Sequence, residues 1–403
     1  MRAAESARRA SPKVAARHPG PGPAGSGAEE AALRCELATA ADDPALRSLL
    51  RDTAMEGWVR LAFPREPSYF GAAPLEGEHV ATVVVRSRDG TVVGMGSRSL
   101  KEVWWAGEPA RLGYLGQLRF ATGWRAGRRT LARAYDLVRR PRGAHELPFD
   151  LTSVVADNEP ARRLVERGLP GLPRYTPLAE LVTVVVPTGG AGGRRSGLPF
   201  AASSGIRVER VRREGDLVSM ARRLGRSARA LRLAPRWSPR RLAELAEDRL
   251  GVWTPLVARD GGRVVGCAAV WDQRTLRQCV VAGYAPWIAR VRPVLSTALR
   301  LTGRPGLPPA GSALRLGYLS HLAADGPGVV EALVAGARPQ AARRGLEHLA
   351  LAFTADRPEP DRIRRRFGGH TYRSVLYAVH DPEVDVDSPG LSGERLGVEV
   401  ATL

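Results

Sequence analysis

Lysine is almost missing from this chain. Of 61 basic side chains in 403 residues, only Lys13 and Lys101 are lysines. Cysteine is scarce too, with Cys35, Cys267 and Cys279 far apart in sequence. That scatter excludes a disulfide framework and a cysteine-rich zinc or iron–sulfur site, and it fits a reducing cytoplasm best. No uninterrupted apolar run reaches bilayer-spanning length, which argues against membrane insertion. Residues 1–31 lack the apolar core of a secretory signal and read as a disordered tail. Gly-x-Ser-x-Gly, His-Glu-x-x-His and Walker patterns are all missing.

What is present is a globular composition, 44% hydrophobic and 25% charged, long enough for two domains of ordinary size. The formal net charge is +20. Such a charge draws anions: phosphate-bearing cofactors, acidic carriers, nucleic acid or a membrane surface. The arginines are dispersed, however, and no nucleic-acid recognition module is evident.

Pattern and punctuation give an α/β order. A strand at 34–38 precedes a helix opened by Asp43 and Pro44. A hairpin turns at Asp89-Gly90, with a further strand at 102–105 and a long strand from Arg111 to Phe120. A helix over 130–139, a strand over 149–155, a helix from Pro160 and a strand over 181–186 follow. The glycine-rich segment around 189–197 reads as a linker, placed at 188–205. The second half repeats the order. Arg111-Leu-Gly-Tyr-Leu115 recurs as Arg315-Leu-Gly-Tyr-Leu319, Ala156-Asp157 as Ala355-Asp356, and Gly94 is matched by Gly266. The expected layout is a unit over 32–187, a second over 206–385 and a C-terminal tail over 386–403.

This order, with these signatures, resembles the GNAT superfamily of acyl-CoA-dependent N-acyltransferases. The resemblance implies two GNAT-like units, each a mixed twisted sheet flanked by helices, with the second copy divergent. It implies acetyl-CoA or another acyl-CoA as donor, and the amine of a small molecule or amino-acid-like compound as acceptor. In that family the fourth strand and the following loop hold the donor, which carries over to Leu118, Phe120, Arg125, Gly127, Arg128 and Arg129. A helix start presents unpaired N–H groups to a pyrophosphate, and glycine allows close approach. The family's second loop glycine is missing here, and the arginines stand in its place. Asn158 corresponds to the family asparagine that reaches the pantetheine arm; as a residue it also reads as an N-cap. The family tyrosine that follows is replaced by Leu164-Val165. In the second copy Asp325 and Pro327 occupy the loop and Arg357 replaces Asn158, so the donor site is expected in the first copy.

N-acylation needs a proton acceptor and a stabilised oxyanion, so no triad is required. Tyr114, Asp157 and Glu56 are the candidates for acid–base or orienting roles, each with a structural alternative: core aromatic, helix cap and surface carboxylate. Glu66, His79 and His321 rank below them. Trp58, Phe63, Tyr69 and Phe70 are candidate pocket walls or plain core. Residues 272–311 form an insertion that either covers an acceptor cavity or packs the copies together. Two other functions fit the residues. One is an aminoacyl-tRNA-dependent transferase, with tRNA as partner. The other is a non-catalytic ligand-binding or scaffold protein built from degenerate acyltransferase domains.

Overall fold

The computed structural model describes residues 33–139, 142–189, 205–247, 249–301, 306–384 and 395–403. The expected tail at 1–31 lies outside them, as do most of the expected linker and residues 386–394.

In the first half the order is β1 (Arg34–Leu37), α1 (Asp43–Asp52), β2 (Val59–Ala62), α2 (Tyr69–Ala72), β3 (His79–Arg86), β4 (Val92–Trp105), β5 (Glu108–Phe120), α3 (Arg128–Val138), β6 (Glu146–Val155), α4 (Glu159–Glu166) and β7 (Arg174–Pro187). The second half continues with β8 (Arg207–Arg210), α5 (Glu214–Arg229), β9 (Ala234–Pro235), α6 (Pro239–Ala246), β10 (Val252–Asp260), β11 (Arg263–Asp272), β12 (Val280–Tyr284) and α7 (Pro286–Leu301). It ends in β13 (Leu316–Ala324), α8 (Pro327–Arg343), β14 (His348–Thr354), α9 (Glu359–Phe367) and β15 (His370–His380).

Local chemistry explains several boundaries. Asn158 caps α4 by accepting from the Ala161 N–H (3.3 Å), and Ser238 caps α6 by accepting from that of Arg241 (3.1 Å). Asp43, expected as a cap, is the first residue of α1, and its carboxylate accepts from the Ser68 hydroxyl (2.8 Å). The two strands expected at 91–96 and 102–105 are one strand, β4, because Ser97–Lys101 between them stay paired with β5.

The expectation of two separate sheets is corrected. There is one continuous sheet, ordered β1-β3-β4-β5-β6-β15-β7-β14-β13-β11-β10-β8, with β9 on β4. The reason lies in the last strand of each half. Strand β7 pairs with β14 of the second half, and β15 lies between β6 and β7 of the first. Each half thus donates its closing strand to the other, and the edges that would have separated two sheets are paired. From either end, three antiparallel pairs lead to one parallel pair, β5·β6 or β13·β14.

Cores form on both faces. Helix α8 packs Val330, Leu333, Val334 and Ala337 against Leu256, Ala268, Val270 and Leu349. Near α1, Leu46, Leu49 and Leu50 pack with Tyr69, Val84 and Met95. The insertion turns back on the first half, with β12 pairing antiparallel to β2. Residues 395–403, read from the sequence as tail, are packed: Leu396 is buried with Val103 and Leu112, and Ala401 is fully buried.

Candidate functional site

Strands β5 and β6 pair in parallel only from Arg111–Glu146 to Tyr114–Leu151. The Thr152 hydroxyl then donates to the Leu115 carbonyl (2.8 Å), and the strands part. The edge of Gly116–Phe120 that faces β6 has no ladder partner. On the other edge, the register with β4 shifts between Met95 and Ser97, so Gln117 and Leu118 stand opposite the single residue Gly96. This is a bulge, and Gln117 takes the left-handed conformation that it requires (φ 58°). Such a conformation costs about 1–2 kcal/mol for a residue with a Cβ. The Gln117 side chain offsets it by donating to the Glu76 carboxylate (2.9 Å), which is itself ion-paired with the buried Arg65.

A cavity of about 380 Å³ runs along this opening. Its outer wall includes Leu118, Phe120, Leu131, Asn158, Ala161 and Leu164. The inner end is formed by Tyr114, Ser153, Arg277, Tyr318, Tyr372, Val400 and Leu403. Next to Thr130 and Leu131 begins α3. Its N-cap, Gly127, has extended backbone and makes no side-chain cap, and a helix start of this kind directs backbone N–H groups toward an anion. Arg125, Arg128 and Arg129 are exposed around it, and Arg128 donates to the Pro170 carbonyl (3.3 Å).

Tyr114 is buried and shares a hydrogen bond with the Ser153 hydroxyl (3.0 Å). Burial pushes its phenol up to about 12, so it stays protonated. The Lys101 amine lies 4.1 Å from the Tyr114 ring centroid and donates to the Thr402 carbonyl. Burial lowers that amine to about 7. Nearby, burial raises the Glu399 carboxyl to about 7, against the pull of hydrogen bonds from the His321 and Ala401 N–H groups. Arg277 ties the inner end together by donating to the main-chain oxygens of Leu403 (2.8 Å) and Ala401 (3.0 Å). On the α1 side of the opening, Arg119 lines the cavity with a buried Nε that has no hydrogen-bond partner. Burial lowers its pKa, and no salt bridge to a carboxylate is formed there among the described residues.

The second parallel pair, β13·β14, also ends early, at Tyr318–Ala350. Its opening is filled differently. Glu399 accepts from the His321 N–H (2.7 Å), and the segment Val400–Thr402 packs against both strands. The His321 ring is enclosed by Trp237, Trp253 and Trp271, and burial lowers it to about 3. Asp325, at the start of α8, is ion-paired with Arg223.

Of the residues singled out from sequence, Tyr114, Leu118, Phe120 and Asn158 line the cavity, and Gly127, Arg128 and Arg129 begin the helix at its mouth. Asp157 and Glu56 are exposed and outside the lining. Glu66 is ion-paired with Arg47 and Arg51 (2.8 Å to Arg51), and His79 is exposed at the start of β3. Phe63 lines the cavity, whereas Tyr69 is core and Trp58 is exposed. Sequence reasoning missed Lys101, Arg119 and Glu399. A single lysine in an otherwise arginine-based globular region was the one available signal for the first. No cluster of His, Cys, Asp or Glu among the described residues has the makings of a metal site.

The sequence matches no protein-family model, and no curated protein sequence matches it. Solved structures do resemble it. N-myristoyltransferase of Saccharomyces cerevisiae with bound myristoyl-CoA superposes with a TM-score of 0.54 at 12% identity, covering 91% of this chain and 89% of that one. A GCN5-related glucosamine N-acetyltransferase region of a fungal multi-domain β-N-acetylglucosaminidase gives 0.53 at 14%, covering 86% of this chain and 38% of that one. The chain therefore has a mixed α/β fold of the GNAT type, in the form of one twisted sheet with flanking helices.

Proposed function

We propose that the protein is an acyl-CoA-dependent N-acyltransferase whose donor site lies in the first half. The observation that carries this reading is the parting of β5 from β6 at Leu115 and Thr152, with a cavity along the free edge and an uncapped, arginine-flanked helix start at its mouth. The residues present fit an acyl-CoA. The free N–H and C=O groups of Gly116–Phe120 match an extended amide-bearing arm, and α3 with Arg125, Arg128 and Arg129 matches a pyrophosphate. Asn158 lies at the wall of the same channel. An acyl-CoA supplies an activated thioester; the chain's own residues position it and manage one proton.

The roles follow from protonation. Tyr114 remains a phenol and donates a hydrogen bond without giving up its proton. Lys101, neutral above about pH 7, accepts the proton released by the attacking amine, relayed through water past Tyr114, while the C–S bond breaks and CoA leaves as a thiolate that takes a proton from water. The β5 edge past Tyr114, free of ladder pairing with β6, is the source of a backbone N–H for the developing oxyanion. Arg119, which has no carboxylate partner among the described residues, favours an acceptor that carries a carboxylate beside its amine, an amino-acid-like compound. The two halves are read as copies of one unit, 32–187 and 206–385, the second retained as a scaffold whose opening is filled by Glu399–Thr402.

The test is incubation with a series of acyl-CoAs of increasing chain length and a set of amino acids, with release of free thiol as readout. Calorimetry with CoA alone measures donor binding separately. Lack of thiol release together with lack of CoA binding at high micromolar concentration overturns the reading. Saturable CoA binding without turnover would favour a ligand-binding protein.

A further inference from the structure

Helix α7 has two faces with apolar side chains, and among the described residues only one of them is covered. Ile288 and Ser296 are buried beneath it, and Ile288 packs with Val281 and Tyr284 of β12. On the other side Trp287, Val291, Val294, Leu295 and Leu301 are solvent-exposed, Val294 by 75% and Leu301 by 84%. At 100° per residue these five fall within an arc of about 120°, a stripe roughly 20 Å long. Trp58, 73% exposed, extends the stripe at one end and meets Trp287 edge to face (ring centroids 6.0 Å apart). Large apolar side chains gathered on one exposed surface mark a place of contact.

The surrounding charge says what kind of contact. Between Asp272 and Asp325 the sequence has no Asp or Glu, so α7 carries arginine and no acid. Arg290 and Arg300 are exposed on α7 itself, and Arg60 reaches over Gly283 from β2. Glu56 is the one acid in residues 53–65. The exposed stripe ends in two tryptophans, Trp58 and Trp287. Tryptophan and arginine around an apolar ridge match a headgroup–acyl boundary, where indole rings sit at the interface and guanidinium groups reach anionic headgroups.

We propose that the α7–Trp58 face docks on the surface of a bilayer that contains anionic phospholipid. The chain lies on such a surface and does not cross it; no described helix is long and apolar enough to cross a membrane. Met55 and Phe63, which flank the Trp58–Ala62 stretch, also line the cavity, so docking brings the cavity's β2 wall close to the lipid. The proposal does not depend on the enzymatic reading.

The experiment is co-sedimentation of the full chain with sucrose-loaded vesicles, of phosphatidylcholine alone or mixed equally with phosphatidylglycerol. Retention is expected on the mixed vesicles and not on phosphatidylcholine alone. Retention should fall with salt and drop about tenfold in V294E/L301E. Because both side chains are exposed, that variant should melt with the wild type. A second readout needs no acidic substitution: bromine-labelled lipid should quench tryptophan fluorescence, and W58F/W287F should remove most of that quenching. Equal retention of wild type and V294E/L301E, or no retention on anionic vesicles, overturns the proposal. So does a concentration-dependent dimer abolished by V294E/L301E, which would make this face a contact between two copies.

Discussion

Gln117 and His321 occupy corresponding places in the two parted strands, each two residues beyond the Leu of an Arg-Leu-Gly-Tyr-Leu segment, with φ of 58° and 55°. They are the two non-glycine residues within named strands that take this conformation among the described residues. Both sit at a register break with the antiparallel neighbour, β4 for Gln117 and β11 for His321. What differs is the filling. Behind Gln117 the opening is a cavity; at His321 the N–H is taken by Glu399. One backbone device therefore serves an open site in one half and a closed one in the other.

Donor binding should depend on the mouth of the first opening. Replacing Arg128 and Arg129 together with Ala should cost about 2–4 kcal/mol of CoA binding, since two charge-assisted contacts are removed. Calorimetry measures it directly. Substituting Asp325 and Pro327 in the second half should leave CoA affinity unchanged, and the reverse pattern would move the donor site to the second half.

The first-half motifs were legible because their physics is local. The repeated pentapeptide, the Asp89-Gly90 turn, the Asn158 cap and the arginines after Gly127 each follow from a few adjacent residues. The single sheet was not legible. The exchange of β7 and β15 pairs residues 161 to 229 positions apart, and nothing in either strand's alternation names its neighbour. The bulges escaped because neither left-handed position is a glycine. Asp157 and Glu56 were attractive as carboxylates near the right strands, but carboxylates at strand ends face water unless something holds them inward. Glu399 was placed in a tail, and its role depends on the fold of residues far from it.

Turnover should rise with pH through about 7 as the Lys101 amine loses its proton. Lys101→Met should keep the side chain's length and remove that limb, lowering kcat by about 100-fold or more at pH 8. CoA affinity should be unchanged, since Lys101 is remote from the helix start. A pH–rate profile that keeps its rise in this variant assigns the proton to another group.

Tyr114→Phe should lower kcat less than about tenfold, because a phenol near 12 orients by hydrogen bonding and transfers no proton. A loss of several hundredfold would instead make Tyr114 an acid. The variant also loses its bond to Ser153, so its melting temperature should fall slightly.

Glu399 binds its proton more tightly when folded, about 7 against an ordinary 4.5. Its favourable contribution is full below pH 4.5 and lost as pH rises through 7. Relative to the wild type, Glu399→Gln should therefore gain about 1–3 kcal/mol of stability between pH 4.5 and pH 8. Denaturant titrations of both proteins at the two values give the difference. His321, lowered to about 3, acts with the opposite sign between pH 3 and 6.5 but cancels from the comparison.

The glycines of the two pentapeptides should tolerate alanine unequally. A Cβ on Gly113 would lie 1.8 Å from Asp150 Oδ1 and 2.7 Å from the Arg98 guanidinium. That carboxylate is 2% exposed and fixed by Arg98 (2.8 Å) and Arg142 (3.3 Å), while Arg98 also pairs with the buried Glu146. Room for a methyl exists only if the buried ion pair opens, and opening one typically costs about 3–5 kcal/mol. On Gly317 the new atom would meet Leu346 Cδ1 at 2.6 Å, the end of a side chain that can turn. Overpacking of that kind costs about 1–3 kcal/mol. Gly113→Ala should thus destabilise the protein by about 2 kcal/mol more than Gly317→Ala in urea unfolding, and it should also disturb the cavity, because Tyr114 is the next residue. Equal losses for the two variants would mean that Asp150 can move aside, and that the Arg98 network does not fix the strand at which β5 and β6 begin to part.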